Sequence, residues 1–226
     1  MNILDLSSCN PERFFIVGGL EGNKSKLIDI LFEQQFSHRD ILVLAGNFID
    51  IESLELIDLL YFLRNNENCF SVMGKREADF VEKSQQNELP EIFEELQKDG
   101  TFDVISQLPS LIKVSDTCFV VNSGIEPYKE LDEQDSRVFY SIGEYDSESR
   151  YYQYHNPKES SWYDHDFKNH FFCFTNEELN LVEVPAGYNL GSSESILFCL
   201  IVAQGENILI EAPSEDLYYQ TPNISS

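Results

Sequence analysis

Three apolar runs in the first half of the chain each break at a glycine-containing turn, and the turns carry most of the residues that could do chemistry. The first run is Phe14-Phe15-Ile16-Val17-Gly18-Gly19-Leu20-Glu21-Gly22. The second is Ile41-Leu42-Val43-Leu44-Ala45-Gly46-Asn47-Phe48-Ile49-Asp50, and the third is Phe70-Ser71-Val72-Met73-Gly74-Lys75-Arg76-Glu77. Together the turns hold carboxylates (Glu21, Asp50, Glu77), an amide (Asn47) and two cations (Lys75, Arg76). Oxygen donors suit a hard metal ion; adjacent basic side chains suit a phosphate. Other chemistries lack their residues. The first turn has neither the G-K-(S/T) ending of a phosphate-cradling loop nor the G-x-G-x-x-G spacing. Gly191-Ser192-Ser193-Glu194-Ser195 lacks the G-x-S-x-G form of a hydrolase elbow. The histidines (His38, His155, His165, His170) are dispersed, and the five cysteines form no C-x-x-C pair or Cys/His cluster.

The elements that must position these turns alternate. Residues 13–18 and 41–46 read as buried strands ending in glycine, and 69–73 as a third that stops just before Gly74. Residues 24–36 and 52–65 between them carry apolar side chains at helical spacing, as at Leu27, Ile28, Leu31 and Phe32. Such alternation predicts parallel strands joined by helical crossovers, with ligand sites at the strands' carboxyl ends. Residues 78–100 read as two acidic helices broken at Pro90. The second half is strand-rich: 111–114, 118–121, 171–174, 179–184, 195–203 and 207–211, the last two joined by a hairpin turn at 203–207. The fold class is α/β (α+β), a two-sheet β-sandwich flanked by helices. It forms one domain over 1–226, with a core from about 13 to 212 and a polar tail at 216–226. Between 144 and 169 lies a long aromatic-rich loop (Tyr145, Tyr151, Tyr152, Tyr154, Trp162, Tyr163, Phe167). It is either a contact surface or a cap packed on the site or core.

Composition narrows the classes. At 42% hydrophobic and 13% aromatic, 226 residues suffice for a packed core. A formal net charge of -25 excludes a nucleic-acid binder and disfavours an anionic membrane surface. The charge serves solubility, or fits a protein partner with a basic face. The N-terminus has no secretory pattern, and scattered cysteines in or beside apolar runs suit a reducing compartment, so a cytoplasmic protein is expected.

In order and spacing the three turns resemble the calcineurin-like metallophosphoesterases, in the phosphoprotein phosphatase and diadenosine-tetraphosphatase branch. That family writes them G-D-x-H-G, G-D-x-x-D-R-G and G-N-H-E. Val121-Asn122-Ser123-Gly124-Ile125-Glu126-Pro127 followed by Leu131-Asp132-Glu133-Gln134 is similar to its H-A-G-(I/L)-x-P…L-x-x-Q segment. Trp162-Tyr163-Asp164-His165 resembles W-A-E-H, Phe172-Cys173-Phe174-Thr175-Asn176 sits where V-x-G-H-T-P belongs, and Val184-Pro185-Ala186-Gly187 resembles I-D-T-G. The resemblance implies the sandwich fold and an ancestral reaction in which two metal ions activate a bridging water.

Carried over residue by residue, the resemblance puts Gly19 and Glu21 where the first turn's aspartate and histidine stand. Asn47 takes the place of the bridging aspartate, and Ile51 that of the phosphate-binding arginine. Lys75 and Arg76 stand for the asparagine ligand and catalytic histidine, and Asn122 and Phe174 for two later histidines. Only Asp50 and Glu77 match. The resemblance therefore implies a pseudo-phosphatase with no metal, cofactor or catalytic residue, acting as an interaction or regulatory module. Lys75 and Arg76 then either replace the metals as counter-charge to Glu21, Asp50 and Glu77, hold a bound anion, or point to solvent. Two alternatives stay open. One is an active metal-dependent phosphoesterase using Glu21, Asn47, Asp50 and Asn122 as atypical ligands; the other is a nucleotide or phosphate sensor without hydrolysis.

Overall fold

The computed structural model describes residues 2–53, 55–86, 88–89, 93, 96, 100–125, 129–134, 138–140, 167, 170–175, 183–191, 197–203 and 206–212. The strands are Ile3–Asp5 (β1), Phe14–Gly18 (β2), Ile41–Leu44 (β3), Cys69–Ser71 (β4), Leu111–Lys113 (β5), Cys118–Val120 (β6), Phe171–Phe174 (β7), Glu183–Val184 (β8), Gly187–Asn189 (β9), Leu197–Ala203 (β10) and Glu206–Ala212 (β11). The helices are Lys24–Glu33 (α1), Leu56–Asn65 (α2), Lys75–Gln85 (α3) and Thr101–Ser106 (α4).

Two sheets face each other. One has the order β11-β10-β2-β3-β4 and the other β1-β5-β6-β7-β9-β8. Strands β2, β3 and β4 are parallel and joined by α1 and α2, so the three chemical turns emerge at one end of one sheet. Alternation of side chains explains the layering. Phe15, Val17, Leu42 and Leu44 pack outward against Leu27, Ile30, Leu59, Leu60 and Phe80 of the helices. Phe14, Ile16 and Val43 point the other way and meet Ile112, Val120 and Cys173 of the second sheet. The far side of that sheet buries Phe119, Phe172 and Phe174 with Phe139. Because β2 and β3 are covered on both faces, their sequences are unbroken apolar runs.

Local signals set the ends. Asn23 caps α1, accepting from Lys26 N at 2.9 Å. Arg13 fixes the start of β2. Its Nε and Nη2 donate to the Asp40 carboxylate at 3.0 and 2.8 Å, and its other donors reach the carbonyls of Gln34 and Gln35 at the end of α1. Burial alone would raise the Asp40 carboxyl, but bonds from Arg13 and from Ser37 outweigh it and hold it below its ordinary value.

The observed elements differ from the sequence expectation in places. α2 begins at Leu56 rather than 52. α3 begins at Lys75, so the third turn is the first turn of a helix. β1, β9 and α4 have no counterpart in the sequence reading; α3 ends at Gln85, and the second helix expected within 78–100 falls largely outside the described residues, of which Leu96 is helical. Pro90, most of the 144–169 stretch, and residues 162–165 lie outside the described residues. Phe167 is described and packs edge-on against Phe172 at 5.1 Å. Cys118, Cys173 and Cys199 are buried as expected of small hydrophobes, but Cys69 is only half-buried, at the edge strand β4. Among the described residues no helix is long and apolar enough to cross a membrane.

Candidate functional site

Backbone meets backbone where the three turns converge, and glycine makes this possible. At Gly46 (φ +78°) a side chain would lie 3.0 Å from the Gly74 backbone. At Gly74 it would lie 2.4 Å from both Asn47 N and Glu77 Oε2. Asn47 follows Gly46 in the same left-handed region (φ +55°), which asparagine tolerates better than most residues. The first turn joins through Gly22 N, which donates to Phe48 O at 2.7 Å.

A helix that starts in so tight a space must satisfy its first N–H groups locally. Side chains from three segments do this for α3. Gly74 N donates to Glu77 Oε2 at 2.9 Å, Arg76 N to Asn47 Oδ1 at 3.3 Å, and Lys75 N to Asn122 Oδ1 at a longer 3.4 Å. Glu77 also accepts from Asn47 N at 2.7 Å and Ile49 N at 2.9 Å, so one carboxylate clamps the second turn to the third. Glu77 is fully buried. Burial pushes its carboxyl above the ordinary range, against these amide donors, which favour the charged form. Asn122 is equally buried. Its Nδ2 donates to Ala45 O at 2.8 Å and to Thr175 Oγ1 at 2.7 Å, tying the end of β3 to the segments after β6 and β7.

The three carboxylates of the turns are thus handled in three ways. Glu21, at a left-handed φ of +47°, pairs with Arg76: Nη2 to Oε1 is 2.9 Å. Asp50 accepts from Glu52 N at 3.0 Å, a local turn bond. Glu77 meets backbone amides rather than a cation. Lys75 is exposed near Asp79, whose carboxyl burial raises against the pull of Lys75 and Lys83. Gly19 sits at φ +67° beside the Leu190 carbonyl, and Phe174 is buried among Phe119, Phe139 and Phe172.

Sequence reasoning missed Ala45 and Thr175, which complete the Asn122 network through contacts distant in sequence. It also left unread the Gly74-x-x-Glu77 spacing, which places Glu77 to accept from the backbone N–H of Gly74 at the start of α3.

The resemblance implies two metal ions, and the turn residues are poor ligands for them. Gly19 and Phe174 offer no side-chain donor. Asn47 and Asn122 spend their oxygens on the amides of α3, Glu77 is enclosed by backbone N–H groups, the guanidinium of Arg76 stands beside Glu21, and Asp50 accepts from Glu52 N within its own turn. Among the described residues no buried side-chain polar atom lacks a partner, and no three His, Cys, Asp or Glu residues are grouped to hold a metal. These residues do not fit a two-metal centre.

Two facing mixed sheets, flanked by helices and with the turns at the carboxyl ends of β2, β3 and β4, form a metallophosphoesterase-like fold, shared with two solved phosphatase-type structures. The chain is similar to a solved structure provisionally assigned as a diadenosine tetraphosphatase, with a TM-score of 0.76 and 19% identity over 95% of this chain and 99% of that one. It is also similar to a protein serine/threonine phosphatase from Saccharomyces cerevisiae, with a TM-score of 0.58 and 14% identity over 95% of this chain and 84% of that one. At such identities the likeness is one of fold. No family model and no curated protein matches the sequence.

Proposed function

We propose that this chain is a phosphatase-fold protein that does not hydrolyse phosphate esters and works as an interaction or regulatory module. One observation carries the reading: the groups at the strand ends are occupied by one another. Glu77, Asn47 and Asn122 serve the first N–H groups of α3, and Arg76 pairs with Glu21. Hydrolysis in this fold requires a positioned nucleophile and concentrated positive charge facing the phosphoryl oxygens. Here the carboxylate and amide oxygens that would organise that charge hold the protein itself together. The strong net negative charge directs the module towards a partner with a basic face.

The test is turnover by the full chain of p-nitrophenyl phosphate and then diadenosine tetraphosphate, with and without added manganese. The proposal expects no manganese-dependent release above a chelator-treated control. Turnover that follows added metal and is removed by the chelator would overturn it.

A second reading has one observation in its favour. Lys75 is exposed and the Arg76 side chain is about a third exposed (35%), side by side in the first turn of α3. A phosphate group could exchange with Glu21 for Arg76. Thermal stabilisation by millimolar phosphate or nucleotide, lost in Arg76→Gln, would support such a sensor; no shift would dismiss it.

A further inference from the structure

The two sheets have four outer strands. β1 and β4 are three residues long and β8 is two, whereas β11 runs for seven. β11 is firmly anchored: all seven of its residues are in register with β10, from Ala203↔Glu206 to Leu197↔Ala212. Its other side has no strand partner among the described residues. Natural edge strands are commonly blunted by charge, above all lysine, by proline or by shortness. Glu206-Asn207-Ile208-Leu209-Ile210-Glu211-Ala212 has no lysine or proline and is charged only at Glu206 and Glu211, and Ile208 is 48% exposed.

The register says which backbone groups are on offer. In an antiparallel pair, residues alternate between bonding the neighbour and facing away, and the pair that closes a two-residue hairpin connection bonds across. Ala203 and Glu206 are that pair. Glu206, Ile208 and Ile210 therefore bond β10, while the N–H and C=O groups of Asn207, Leu209 and Glu211 face the open edge.

We propose that the β11 edge is a docking site for an extended basic peptide segment of a partner protein, which adds to the sheet as a further strand. Charge selects the occupant. Glu206 and Glu211 flank the strand with exposed carboxylates, no Lys or Arg lies on it, and the whole chain carries a net charge of -25. A second copy with the same charge is repelled at this edge, whereas a lysine-bearing strand is attracted. Main-chain bonds to Asn207, Leu209 and Glu211 supply the pairing, and the half-exposed Ile208 supplies an apolar contact. The proposal deepens the reading of the chain as an interaction module, but its test does not involve hydrolysis. A chain that turned over phosphate yet bound the peptide at β11 would sink that reading and leave this one.

The experiment uses the full chain and a capped peptide alternating lysine with valine, as long as β11, with residue-resolved amide exchange as the readout. The peptide is expected to slow exchange at Asn207, Leu209 and Glu211, and a glutamate–valine peptide is not. Asn207→Pro removes one outward donor without touching a bond to β10, and should weaken peptide affinity at least about tenfold. Ile208→Lys should do the same through charge, and decides alone if the proline variant does not fold. Four results would overturn the proposal: binding without protection at these amides, equal binding of the acidic peptide, concentration-dependent protection without peptide (a second copy at the edge), or amides already protected in the dilute free chain (its own residues beyond Ala212 covering the edge).

Discussion

The guanidinium of Arg76, in the first turn of α3, lies 2.9 Å from the carboxylate of Glu21, in the turn after β2. The pair bridges the first and third chemical turns. Both side chains are about a third exposed (35% and 33%), so solvent screens their attraction. A double-mutant cycle with Arg76→Gln and Glu21→Gln should give a coupling of about 0.5 kcal/mol at low salt, shrinking in 1 M salt. Urea unfolding of the four proteins measures it. Zero coupling at low salt would mean that the two side chains act separately.

Glu77 is the stronger element. Its two oxygens accept from Gly74, Asn47 and Ile49 in a fully buried setting. In Glu77→Gln, one carboxylate oxygen becomes an NH2 group facing a backbone donor. A buried N–H left without an acceptor should cost about 2 kcal/mol. The loss would appear as a lower urea midpoint with an unchanged slope. Because burial raises the folded carboxyl, the wild-type contribution of this group is fully present below the unfolded glutamate value and declines as pH rises through the folded one. A fall in stability below about 1 kcal/mol for Glu77→Gln would show that the amides find other partners.

Asp40 has the opposite sign. The Arg13 and Ser37 bonds depress its folded value, despite burial. Its contribution is therefore present above the unfolded aspartate value of about 3.9 and is lost as pH falls through the folded value. Comparing unfolding midpoints from about pH 6 down to about pH 3, Asp40→Asn should be less stable at the upper end and show a flatter loss with acid. Parallel curves for the two proteins would remove Asp40 from the account.

Much of this architecture could be read from the residues, and the parts that could not have physical reasons. β2 and β3 are buried on both faces, and a glycine ends the first and follows the second within two residues, so their sequences carry the signal unaided. β1 is three residues with an exposed-intermediate-exposed pattern, and its pairing with β5 comes from more than a hundred positions away along the chain. β9 hides in what reads as a turn after Val184, because Gly187 (φ +143°) lies where any side chain would strike the Phe172 backbone. α4 is six residues, too short for helical periodicity to register. At the site, the turns and their residues were visible, but the partners were not. Asn122 meets Lys75 N and Ala45 O across long sequence distances, so its role as a brace exists only in the folded chain. The division of labour among Glu21, Asp50 and Glu77 is likewise mostly a matter of geometry: only the bond from Gly74 N to Glu77 has a sequence signature, in the Gly74-x-x-Glu77 spacing.

The central claim is that the strand-end groups are used on one another and do not assemble a two-metal centre. Metal content per chain, measured after dialysis against manganese and with p-nitrophenyl phosphate turnover on the same sample, tests it most directly. The account predicts well below one metal ion per chain and turnover equal to the chelator-treated control. Two bound manganese ions per chain, with phosphate release that depends on them, would contradict it.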